Sequence, residues 1–222
     1  MRMAHPRIEQ AVEWTEKVRV WELVVESPEF LRGILRDFSE HHAERDVNFL
    51  VGGKSLKFET EVEFIMNPFK LDFNSRQATT ALMKILLKTS SDEGMYLETS
   101  QMKTKILQYV EHIIATSHLD FEVTTSDFLI DALAKAVNVH IVGDEDDFTQ
   151  LLIDYMLMMR DLVGVKVFVF AHLRSVLSQA ELEAFIGDVS GRQLNMLLIE
   201  STDKDPIFGS GRIVIDRDLC EI

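Results

Sequence analysis

Glu61-Val62-Glu63-Phe64-Ile65-Met66-Asn67-Pro68-Phe69-Lys70-Leu71-Asp72-Phe73-Asn74-Ser75 is the stretch on which the division of the chain turns. Val62, Phe64 and Met66 alternate with Glu61, Glu63 and Ile65, a period of two that predicts a strand. Pro68 ends it, because proline has no N–H to give to a ladder. Asn74 and Gln77 stand three apart before a long apolar-periodic run, the spacing of a capping box with Asn74 at the N-cap. Here the chain leaves a sheet for a helical section. It returns to the sheet near Val139.

Outward from this exit, Val18 to Val25 reads as a strand. Ser27-Pro28 opens a helix whose apolar face is Phe30, Leu31, Ile34, Leu35 and Phe38. Val47 to Val51 is a second short strand. Gly52-Gly53-Lys54-Ser55 follows it and invites a phosphate-loop reading, which fails on two counts. The first glycine of G-x-x-x-x-G-K-S falls at Asn48, and a strand, not a helix N-terminus, comes next. A hairpin-like turn with exposed Lys54 and Lys57 is the expectation. After the exit, Asn74 to about Thr89 and Tyr96 to Thr116 predict two long helices packed antiparallel, and Asp127 to Val137 a third. Val139 to Val142 reads as a returning strand. Asp146 or Asp147 caps a buried helix over Phe148 to Arg160. Val165 to Phe170 and Leu194 to Ile199 are continuous apolar runs, as in parallel strands covered on both faces. Ser178 and Glu181 form a capping box between them, and Ile213 to Asp216 closes the sheet. The expected fold class is α/β: a mostly parallel sheet head from residues 1–72 and 138–222, with an inserted α-helical leg over 73–137.

Composition bounds the function. With 222 residues, 46% of them hydrophobic, the chain can bury a sizeable core. No apolar run approaches the ~20 residues of a membrane span. Residues 1–17 carry scattered charges and no apolar block, so no secretory signal is expected there and a cytoplasmic protein is. Cys220 is the only cysteine, which excludes an internal disulfide and a multi-cysteine zinc site. The seven histidines are scattered, and neither H-E-x-x-H nor G-x-S-x-G occurs. Gly143-Asp144-Glu145-Asp146-Asp147 lacks the spacing of a calcium-binding helix–loop–helix. Net charge is −14, unevenly spread. Residues 1–69 hold nine basic against thirteen acidic residues, 70–117 six against five, and 118–222 eight against nineteen. The whole molecule repels a phosphate backbone at long range. Within a Debye length of roughly 8–10 Å, local charge decides, so a basic surface on an acidic body is compatible with DNA.

Leu71-Asp72-Phe73-Asn74-Ser75 at the mouth of a helix resembles the Csn-two family, the non-nuclease adaptation protein of type II-A CRISPR loci. Leu119-Asp120-Phe121-Glu122 is similar to the family's acidic L-D-x-E step, and Ile213-Val214-Ile215-Asp216-Arg217-Asp218 to its closing segment. The order of elements agrees from about Val18 to the end. Met1 to Lys17 has no counterpart. The resemblance implies a head-and-leg plan whose head is nucleotide-binding-like but lacks working phosphate motifs. It implies a non-enzymatic homotetrameric ring that binds double-stranded DNA by its end, without sequence preference, during spacer acquisition. Its partners would be other CRISPR adaptation proteins and the effector nuclease of the locus, with no membrane and no nucleotide. The expected DNA-contacting set is Lys54, Lys57, Lys70, Arg76, Lys84, Lys88, Lys103, Lys105 and Lys135.

The family also places calcium where the leg rejoins the head, which here points to Asp120, Glu122, Asp127 and Asp131. Asp120 and Glu122 are two apart on an extended segment, and Asp127 and Asp131 four apart on a helix, so each pair shares a side. Thr124 and Thr125 stand where a further carboxylate is expected. The competing reading has Asp127 capping the helix and Asp120 facing water. Two other functions stay open from the residues alone: a nucleotide-dependent α/β switch and an acidic protein–protein scaffold.

Overall fold

The computed structural model describes residues 1–39, 46–117, 129–143 and 147–222, with Leu129 by its backbone alone. The chain forms two compact units, Met1–Phe73 with Gly143–Ile222, and Asn74–Val142.

The first unit holds two sheets. Five parallel strands stand in the order β6-β7-β8-β3-β9, with β3 Val20–Val25, β6 Val62–Ile65, β7 Val167–Ala171, β8 Met196–Glu200 and β9 Gly211–Ile215. Every residue of β3, β7 and β8 is buried, so their unbroken apolar runs reflect cover on both faces. The residues before Pro68 do enter this sheet, but as a shorter strand, because a single helical turn, α2 Phe58–Glu61, precedes it.

A second, antiparallel sheet, β2-β1-β4-β5, was not expected. It consists of β1 Arg2–His5, β2 Ile8–Glu13, β4 Asn48–Val51 and β5 Lys54–Ser55. Val47 to Val51 therefore pairs with the N-terminal hairpin and not with the parallel sheet. Gly52 and Gly53 form the two-residue turn from β4 to β5, both at positive φ (56° and 79°), the conformation a tight hairpin needs.

Helix α1 Pro28–Phe38, capped by Ser27, turns Phe30, Ile34 and Phe38 into one core with Met3 and Phe49 of the antiparallel sheet, Trp14 just after β2, and Val167 and Val169 of β7. The opposite face of β7 meets α7 Gln179–Gly191, where Phe170 and Phe185 pack edge to face at 6.2 Å. Asp147 caps α6 Phe148–Met158, accepting from the amides of Thr149 and Gln150. The helix does not run on to Arg160; it loosens into a π-turn over Met159–Val163, ended by Gly164 at φ 93°. Ser178 and Glu181 form the expected capping box of α7.

The second unit is helical: α3 Arg76–Ser91, α4 Glu93–Thr116 and α5 Leu129–Ala136. Ser75, not Asn74, caps α3, accepting from the amide of Ala78. The Asn74 side chain instead clasps the backbone of Ile141, donating to its carbonyl at 2.9 Å and accepting from its amide at 2.8 Å. Val139 to Val142 forms no strand, and Val142 is exposed. With an Asn side chain satisfying the peptide at Ile141, this segment needs no sheet neighbour.

Candidate nucleic-acid interface

The expected cations fall into two groups. Lys54, Lys57 and Lys70 lie in the α/β unit and are exposed. Lys54 starts β5, so the G-K-S triplet sits on a hairpin strand and not at a helix N-terminus. Lys57 precedes α2, and its amide donates to Glu61 Oε2 at 2.6 Å. Glu61 is also ion-paired with Lys166, and the hydrogen bond from that ammonium is the main cause holding its carboxyl below the usual range.

The other six lie in the helical unit, where packing sorts them. Arg76, Thr80, Lys84 and Lys88 are all exposed and follow one another at four-residue steps along α3. Residues so spaced form one ridge of a helix, rising about 6 Å per step and about 18 Å in all. Helix α3 contains no acidic residue. Ala78 is its buried contact point, and α3 packs against α4 and α5. Lys105 is exposed on α4, whereas Lys103 is half-buried. Lys135 donates to Asp131 Oδ2 at 2.6 Å, one turn back on α5, so its charge is matched within its own helix. Asp131 is thus engaged by a lysine. Asp120, Glu122 and Asp127 lie outside the described residues. Thr80 shares the ridge and was missed from sequence, its hydroxyl donating to the Arg76 carbonyl at 2.6 Å; four-residue spacing was the signal that could have found it.

Sequence reasoning also missed a buried charge network at the carboxyl ends of the parallel strands. In open parallel sheets this edge, next to a strand-order reversal such as that at β3, is where ligands bind. Glu22, in the midst of the apolar run of β3, is completely buried and ion-paired with Arg174 and, at 3.1 Å, with Arg212 Nε. Arg174 Nη2 donates to the carbonyl of Asp205 at 2.9 Å, and its amide donates to Glu200 Oε1 at 2.9 Å. Arg212 also pairs with Asp203 and donates to the carbonyl of Lys204. Burial pushes the Glu200 carboxyl up from its ordinary pKa, with Glu22 adding to the effect. His172, at φ 58°, leaves β7 beside this network, donating its amide to the Ile199 carbonyl. The guanidinium that reaches into the sheet edge is therefore spent on internal partners.

No helix among the described residues is long and apolar enough to cross a membrane. No curated protein sequence matches the chain. A family model described as "CRISPR-associated protein (Cas_Csn2)" matches residues 42–219. The match begins later than the order of elements suggested, leaving β1, β2, β3 and α1 outside it and taking in the basic helix α3 and the whole helical unit. It extends over most of the chain, through both units, and the chain belongs to the CRISPR-associated Csn2 family.

Proposed function

We propose that this CRISPR-associated protein binds double-stranded DNA without sequence preference and without catalysis, in the acquisition of new spacers. The observation that carries the reading is the exposed Arg76–Thr80–Lys84–Lys88 ridge on a helix free of acids. Cations spaced along a rigid ridge suit phosphate contacts, which position a protein on a duplex but read no bases. The acidic remainder of the chain acts weakly at that ridge, since salt screens it beyond about 8–10 Å.

A homotetrameric ring is part of the proposal. It is supported by α4, a helix of 24 residues with none buried within the protomer. Met95, Met102, Tyr109 and Ile113 are exposed at spacings of seven, seven and four, an apolar stripe that a second copy would cover. A calcium ion held by Asp120, Glu122, Asp127 and Asp131 belongs to the same reading. Carboxylate oxygens are the right donors for it, and Asp131 must leave Lys135 to take part. Other CRISPR adaptation proteins and the effector nuclease of the locus are the expected partners, in the cytoplasm.

A gel shift with linear and closed-circular duplex, beside native mass spectrometry, tests the proposal. A shift of linear DNA alone by a tetramer is expected. Equal shifts of both forms would overturn end entry into a ring, and no shift of either would overturn DNA binding.

A further inference from the structure

The N-terminal hairpin and α1 bring together three metal-ligating side chains in the α/β unit. His5, the last residue of β1, and Asp37, in the last turn of α1, are both more than nine-tenths buried. His5 Nε2 lies 3.2 Å from Asp37 Oδ2. Asp46, just before β4, is exposed and turns its carboxylate toward them, so that one ligand atom from each residue lies within 4.8 Å of the others. The three line a cavity of about 70 Å³ together with Arg7 and Arg36. That is room for an ion and one or two waters, at about 30 Å³ each. Asp46 has no ion-pair partner among the described residues.

We propose that His5, Asp37 and Asp46 form a site for a divalent ion of the zinc class. One imidazole nitrogen with two carboxylates suits a borderline ion, whereas calcium and magnesium take oxygen alone. Two ligands bound at about 2.0–2.1 Å in tetrahedral geometry lie about 3.4 Å apart, close to the separation of His5 and Asp37. Asp46 closes the remaining gap by a rotation of an exposed side chain. His5 and Asp37 lie outside the segment that matches the family model and Asp46 within it, so the site joins the N-terminal segment to the matched part.

Binding must change the tautomer of His5. The Arg7 amide donates to Nδ1 at 3.2 Å, so the ring proton sits on Nε2 and is donated to Asp37. A metal on Nε2 moves that proton to Nδ1 and opens the contact with Arg7. This rearrangement opposes binding, and it gives the site a signature that a surface histidine lacks.

The test uses the full chain, cleared with chelator and titrated with zinc alone by calorimetry, with the ring nitrogens followed by ¹⁵N NMR. One zinc per chain is expected, with the His5 proton moving from Nε2 to Nδ1. Binding should persist in Cys220→Ser, which removes the exposed thiol. Asp46→Asn, a change on the surface, should weaken it by at least about tenfold, since even loss of an outer-shell partner costs a metal site 10–100-fold. Absence of zinc binding, zinc binding equal in Asp46→Asn, or an unchanged His5 tautomer would overturn the proposal.

Discussion

Replacing Arg76, Lys84 and Lys88 together with Gln removes three cations from the α3 ridge and leaves the helix its shape. Glutamine is as good a helix former as lysine and arginine, all three side chains are exposed, and only Lys88, in the last turn, also favours the helix dipole, by about 0.3–1 kcal/mol. Each phosphate neutralised contributes about −0.9 to the slope of log affinity against log salt. Three contacts therefore contribute about −2.7, or an affinity loss of about 40-fold between roughly 50 and 200 mM salt. Fluorescence anisotropy of a labelled linear duplex across that range should show the triple variant's slope flatter by about this amount, with far-UV circular dichroism unchanged. A slope equal to that of the unaltered protein would refute the ridge as a phosphate contact. So would weaker binding at every salt concentration with no change of slope, because lost counterion release must appear in the slope.

The remaining expectations concern assembly and the buried network. Met102→Glu with Tyr109→Glu places two charges on the exposed stripe of α4, and should reduce native mass to that of smaller species while circular dichroism stays constant. Arg174→Ala takes away a partner of the buried Glu22 and should cost about 3–5 kcal/mol in a denaturant titration; a loss under about 1 kcal/mol would show the network to be dispensable. Glu200 has a raised carboxyl pKa in the folded chain, so its contribution to stability is greatest below its unfolded value and falls as pH rises through the folded one. Glu200→Gln keeps an acceptor for the Arg174 amide, and should therefore melt higher than the unaltered protein at pH 7, the advantage shrinking toward pH 4. A melting difference independent of pH would contradict the assignment.

What the sequence determined by itself lies where the physics is local. The caps at Ser27 and Ser178, the buried runs of β7 and β8, and the Gly52-Gly53 turn each depend on a few neighbouring residues. The three cations of the α3 ridge were named from sequence, but not the ridge itself, although residues four apart on a helix share one whatever surrounds it. The tertiary structure decided everything that rests on a distant partner. Val139 to Val142 has a strand's apolar content, yet the peptide at Ile141 is satisfied by Asn74, 67 residues away. Lys103 and Lys105 look alike in sequence, and only packing half-buries one. Lys135 reads as one more cation for DNA, yet Asp131, one turn back on the helix, pairs with it. Glu22 reads as an interruption in an apolar strand, and its counter-charge Arg174 stands 152 positions further on. His5, Asp37 and Asp46 share no spacing that a motif could register, since a hairpin, a helix end and a loop must fold together before their ligand atoms meet. Period and capping are properties of a short segment, whereas a buried charge or a ligand set is defined by which segments pack together, and local propensity carries no record of that choice.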